Sequence, residues 1–119
     1  MSQKEKKVIE RVVAAAKKRG VTLMRNPAGV FTLPTGKRVS FGLAKGAADL
    51  IGWTPVVIGP EHVGKKIAVF CAVEVKTKNT AVSGAQKRFL EKVAADGGAA
   101  EVFRENQDLQ QLIEKISNL

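Results

Sequence analysis

The chain has one cysteine and one histidine in 119 residues. A zinc site of Cys/His type is thereby excluded, because such sites need several ligands of those two kinds. A lone cysteine forms no internal disulfide, and Cys71 falls on the inward parity of a strand pattern, where a small buried thiol is expected. No apolar run approaches the roughly 18 residues of a membrane span, and the N-terminus is charged where a secretion signal is apolar. A cytoplasmic protein with no membrane partner is expected. Gly-x-Gly-x-x-Gly, the phosphate-binding loop, internal repeats and low-complexity tracts are all missing.

Negative charge is the next scarcity. Residues 1–95 hold 18 lysines and arginines against 6 acids, a net charge of +12, whereas residues 96–119 hold 2 against 5. A surface this basic attracts polyanions, with nucleic acid the first candidate. The six acids are Glu5, Glu10, Asp49, Glu61, Glu74 and Glu91. Carboxylates repel phosphates, so an acid kept near a phosphate-binding surface points to divalent metal binding.

The spacing predicts an amphipathic helix over 3–19 ended by Gly20, with Val8, Ile9, Val12, Val13, Ala15 and Ala16 on one side. Glu5 lies at the centre of that apolar arc and is expected to face the body, while Glu10 faces water. The helix dipole accounts for Glu5 equally well. Short strands are expected at Val21–Met24, Val30–Leu33 and Arg38–Leu43, separated by turns. Lys45-Gly46-Ala47-Ala48 is a small-residue approach that admits a phosphate backbone to Asp49. Asp49 opens a strand continuing, past a break at Pro55, to Ile58. Gly59–Lys66 reads as a hairpin loop, in which His62 is a solvated loop histidine, and Trp53 reads as a core or subunit contact.

Ile67 to Lys76 alternates as a strand whose far end carries Glu74 and Lys76 on one face. Alone, that pair is what any strand running into solvent carries. A helix follows over 84–95, with Gln86 inside its apolar arc, where a buried amide must find partners or sit bonded to backbone. Residues 99–103 form a strand expected to run parallel to the Glu74 strand, because a helix joins the two. An amphipathic helix over 106–119 closes the chain. Glu5, Asp49, Glu74 and Lys76 make a hard-cation set suited to Mg²⁺ or Mn²⁺, and in a basic protein that set points to phosphodiester hydrolysis.

Asp49 followed by Glu74-Val75-Lys76, in an α-β-β-β-α-β order, resembles the PD-(D/E)XK nuclease superfamily. With Glu5, Arg25-Asn26, Gly46-Ala47-Ala48-Asp49-Leu50-Ile51-Gly52, Gln86 and Gly97-Gly98, the set is similar to its virus-type replication-repair branch, the VRR-NUC domain. Ala48 stands where the superfamily name has proline. The resemblance spans about residues 5–104 of a single domain, 1–119. It implies an α/β (α+β) fold, a mixed central sheet flanked by helices in a restriction-endonuclease-like core, plus the C-terminal helix. It implies that Asp49, Glu74 and the Val75 carbonyl bind Mg²⁺ or Mn²⁺ with help from Glu5, that Lys76 is catalytic and that Gln86 supports the site. Arg25, Asn26, Lys45 and Lys78 are candidate DNA contacts. The implied activity is a homodimeric endonuclease on branched DNA such as four-way (Holliday) junctions, in DNA repair, in a bacterial cell or phage-infected host. A restriction-like duplex nuclease and a non-catalytic basic DNA-binding protein remain as alternatives.

Overall fold

The computed structural model describes residues 2–44, 46–77 and 79–118. Lys45 and Lys78, two of the expected DNA contacts, lie outside the described residues. The elements are α1 (Gln3–Lys18), β1 (Thr22–Arg25), β2 (Gly29–Thr32), β3 (Arg38–Phe41), β4 (Leu50–Trp53), β5 (Cys71–Lys76), α2 (Gly84–Ala95), β6 (Ala99–Arg104) and α3 (Leu109–Ser117). Helices and strands thus mix in an α+β fold, consistent with a restriction-endonuclease-like core. The strands pair as three two-stranded sheets, β1–β4 and β2–β3 antiparallel and β5–β6 parallel. Two compact units form, Met1–Thr54 and Pro55–Leu119.

In the first unit, α1 begins at Ser2, whose hydroxyl accepts the Glu5 N–H at 3.1 Å. That bond satisfies one of the donors every helix start leaves open. The helix ends where Gly20 takes φ 77°, a left-handed turn that glycine enters without steric cost. Ile9, Val13 and Ala16 are its half-buried residues, and α1 packs against β1. The β1–β4 pairing sets Leu23 opposite Gly52. A side chain at Gly52 would run into the Thr22 carbonyl, so this approach requires glycine. β2 and β3 form a hairpin in which Gly29 faces Phe41 and Phe31 faces Val39, bringing the two phenylalanine rings to 6.2 Å. β4 stops at Trp53 instead of reaching Ile58. Pro55 has no N–H to give a ladder, which accounts for the early end.

In the second unit, the expected hairpin loop after Gly59 is a single 3-10 turn over Pro60–His62. His62 is half-buried there, and its Nδ1 accepts the Gly59 N–H at 2.9 Å, so this imidazole closes a turn rather than standing in solvent. β5 starts at Cys71, later than the expected Ile67, and runs parallel to β6 with Cys71 opposite Ala99 and Lys76 opposite Arg104. The β5–α2–β6 crossover is therefore as expected. Val93 of α2, 1% exposed, and Ala99 are the buried apolar side chains among the described residues. Gly98 makes this packing possible: a Cβ there would come within 2.7 Å of both the Phe70 carbonyl and Val93. α3 packs on β6 and starts at Leu109, not at 106, because the Gln107 side chain accepts the Arg104 N–H and holds a turn before it.

One expectation about β5 is corrected. Cys71 is exposed, as are Val73 and Val75, and the half-buried side chains are Ala72, Glu74 and Lys76. The strand alternates as its sequence says, but α2 lies over the Glu74 face, and that contact decides which parity is covered. Among the described residues, no helix is long and apolar enough to cross a membrane.

Candidate active site

β5 brings Glu74 and Lys76 onto one face, with Lys76 Nζ 3.5 Å from Glu74 Oε1. Their side chains keep 14% (Lys76) and 30% (Glu74) of their exposure, so both charges are partly withdrawn from water and attract more strongly than a surface pair would. Gln86, in the first turn of α2, donates from Nε2 to the same Glu74 Oε1 at 2.8 Å. Its orientation follows from the helix start. Ser83 N–H donates to Gln86 Oε1 at 3.0 Å, and Gln86 N–H donates to Ser83 Oγ at 3.1 Å. This reciprocal cap fixes which end of the amide is oxygen, so its NH₂ must be what meets the carboxylate.

Both partners of Glu74 among the described residues, Gln86 and Lys76, are donors to Oε1, and Oε2 has none there. Along the same strand, the parallel ladder places the Phe70 carbonyl on Ala99 N–H and the Lys76 carbonyl on Glu105 N–H. Carbonyls alternate in direction along a strand, so that of Val75 points to the edge of β5 away from β6. A carboxylate oxygen and a neighbouring carbonyl oxygen are hard donors, the kind Mg²⁺ and Mn²⁺ take. The donors this unit offers, Glu74 and the Val75 carbonyl, are thus of the kind such an ion takes. Beyond Lys76, the Arg104 guanidinium donates to the Thr77 and Thr80 carbonyls at 3.1 and 2.6 Å, tying down the chain that leaves the site. A shallow cleft lined by Phe70, Ala72, Glu74, Gln86, Phe89 and Leu90 lies alongside.

In the first unit, Asp49 is exposed and sits one residue before β4 rather than opening the strand. Asn26 holds that position from three directions. Its N–H donates to the Asp49 carbonyl at 2.8 Å, its Nδ2 to the Ala48 carbonyl at 3.0 Å, and its Oδ1 accepts the Leu43 N–H at 3.3 Å. Both ends of this amide are thus engaged across the Leu43–Asp49 loop, a different use from the DNA contact expected of Asn26. Arg25 is an exposed end residue of β1. Glu5 is exposed instead of turned to the body, and its Oε1 accepts the Ser2 hydroxyl at 3.1 Å. The covered stripe of α1 is centred on Ile9, Val13 and Ala16, which leaves Glu5 at its margin.

The structure thus gathers Glu74, Lys76 and Gln86. Among the described residues, no group of three or more acidic, histidine or cysteine side chains is close enough to hold an ion. The sequence reading missed Ser83, Arg104 and the loop-holding use of Asn26. Of these, only the Ser83-x-x-Gln86 cap carried a readable signal. The family model of the VRR-NUC domain matches residues 36–107. No curated protein and no solved structure matches the chain significantly.

Proposed function

The chain belongs to the VRR-NUC family of nuclease-type domains, and from that membership we propose a divalent-metal-dependent endodeoxyribonuclease that cuts branched DNA such as four-way junctions. The observation that carries the proposal is the state of Glu74. Gln86 and Lys76 both meet its Oε1, among the described residues nothing meets Oε2, and the next residue's carbonyl, that of Val75, points away from β6. Asp49, Glu74 and the Val75 carbonyl would hold the Mg²⁺ or Mn²⁺, with Glu5 assisting. A bound ion of this kind would withdraw charge from the phosphate and make a bound water more acidic. Gln86 holds the Glu74 carboxylate in one rotamer, so no reorganisation is needed when substrate arrives. Lys76 Nζ stands beside that carboxylate and donates to the attacking water and to the phosphate oxygen on which negative charge grows. Asn26 fixes the backbone at Asp49.

Residues 1–119 act as one nuclease domain, and the working form is a homodimer. Two-fold symmetry gives two sites related as the opposed strands of a four-way junction are related. The test is cleavage of a labelled four-way junction by purified protein in Mn²⁺ or Mg²⁺, with light scattering for the dimer. Paired cuts in opposed strands are expected. Preferential cutting of unbranched duplex would favour the restriction-like reading. Tight binding with no cutting of branched, duplex or single-stranded DNA would favour the non-catalytic binder.

A further inference from the structure

The two units differ sharply in charge. Residues 1–54 hold 11 lysines and arginines against 3 acids, a net +8, whereas residues 55–119 hold 9 against 8. Nearly the whole net positive charge, +8 of +9, therefore belongs to the unit that lacks the Glu74–Lys76 pair. Within that unit the charge is ordered. At about 100° per residue, Lys4, Lys7, Arg11 and Lys18 fall within a sector of roughly 60° on α1. The half-buried side of the helix, Ile9, Val13 and Ala16, is centred about 180° from that sector on the same wheel. The positions next to the sector on its two sides are Ala14 and Ala15, both with short side chains. Glu5 and Glu10 both fall outside it. All four cations are exposed, and none has an ion-pair partner among the described residues.

A solubilising face needs neither this alignment nor this freedom from acids. Acids spaced three or four residues away would add helix stability as ion pairs, but Lys4, Arg11 and Lys18 have none at those spacings, and Glu10, three residues after Lys7, forms no ion pair with it. From Lys4 to Lys18 it runs roughly 21 Å, at 1.5 Å per residue. Duplex DNA presents one phosphate per about 1.7 Å of axis, so a rod of four cations this long meets phosphates along its whole length. We propose that the outer face of α1 is a duplex-binding surface, in which Lys4, Lys7, Arg11 and Lys18 neutralise the phosphates of a DNA arm. This extends the nuclease reading and rests on it for the choice of DNA as partner. The contact is to backbone and carries no sequence preference.

The test is fluorescence anisotropy with a labelled DNA duplex of 20 base pairs, in Ca²⁺ so that nothing is cut, over a series of salt concentrations. A variant with Lys4, Lys7, Arg11 and Lys18 all changed to Gln is compared with one that loses equal charge elsewhere, K65Q/K66Q/K87Q/K115Q. Loss of four phosphate contacts should flatten the slope of log K against log salt by about 3 to 4, and weaken binding at least tenfold near 0.1 M salt. The control should change the slope by less than about 1. A charge-keeping variant, K4R/K7R/K18R, should bind as the parent does, which guards against a loss caused by misfolding. Equal losses in the two quadruple variants, or unchanged binding in the α1 variant, would overturn the proposal. Failure of the nuclease reading looks different: the parent would bind duplex through the stripe yet cut no DNA in Mn²⁺.

Discussion

Gln86 offers the sharpest separation of fold from chemistry, because one amide serves both. Its Oε1 accepts Ser83 N–H as part of the α2 cap, and its Nε2 donates to Glu74 Oε1 at 2.8 Å. In Ser83→Ala, the Oγ acceptor is lost but the backbone N–H that orients Gln86 remains. The expected cost is about 1 kcal/mol of stability, the usual worth of an N-cap hydroxyl. In Gln86→Ala, the reciprocal cap bond goes, worth roughly 1 kcal/mol, together with a bond to a carboxylate worth about 1.5–3 kcal/mol when shielded. Glu74 is 30% exposed, so water replaces part of that second bond. A total near 2 kcal/mol is reasonable, a fall in Tm of about 8 °C for a chain of this size. Activity should part company with stability. Ser83→Ala should cut DNA within about threefold of the parent, whereas Gln86→Ala, whose Glu74 is free to rotate, should lose 10- to 100-fold in metal affinity or rate. Thermal melts by circular dichroism and a Mg²⁺ titration of junction cleavage measure the two effects. If Gln86→Ala melts lower but keeps the parent's metal midpoint, the Gln86–Glu74 bond is purely structural and the reasoning fails.

Three further outcomes are expected. Glu74→Ala and Lys76→Ala should each abolish cleavage while duplex binding in Ca²⁺ and the circular dichroism spectrum stay unchanged; cutting by both variants would remove β5 from the site. Glu5→Gln keeps an acceptor for the Ser2 hydroxyl, so its helix should persist while the Mn²⁺ midpoint of cleavage rises, and Glu10→Gln should leave that midpoint alone. Asn26→Asp keeps the acceptor for Leu43 N–H but removes the donor to the Ala48 carbonyl. About tenfold slower cutting with a raised metal midpoint and unchanged DNA affinity is expected, whereas weaker DNA affinity at an unchanged midpoint would return Asn26 to the DNA-contact role.

What could be read from the chain depended on how local the cause was. The spans of α1 and α2 and the Gly20 stop were legible because helix stops and periodicity are written within a few residues. The parallel β5–β6 pair was legible because a strand–helix–strand segment has essentially one way to return. Which parity of β5 is covered was not, since that depends on where α2 lands, and Cys71 and Val75 have the composition of core residues while standing exposed. The early stop of β4 was half-legible: Pro55 announced a break, but the failure to resume at Val56–Ile58 is a tertiary outcome. At the site, the Glu74–Lys76 face followed from period-two geometry, and the inward bias of Gln86 from the helical wheel. That the two meet required the crossover to bring the first turn of α2 back over β5.

Glu5 and Gln86 looked alike in the sequence, each a polar residue near a helix start on the apolar side, and the structure separates them. Both sit three residues after a serine cap, at the position that completes a reciprocal cap. Glu5 ends in that cap: its carboxylate meets the Ser2 hydroxyl, and α1 would need no more of it. Gln86 does not end there, because an amide has a second, opposite pole, and with its oxygen held by Ser83 that pole reaches Glu74. Glutamate at position 86 would cap the helix equally well but would bring an acceptor against an acceptor. The cap therefore explains a polar residue at position 86, and only the carboxylate on β5 explains why it is an amide. At position 5 the cap alone suffices for an acid, so a metal role for Glu5 must show itself in the metal midpoint of Glu5→Gln and nowhere in its fold.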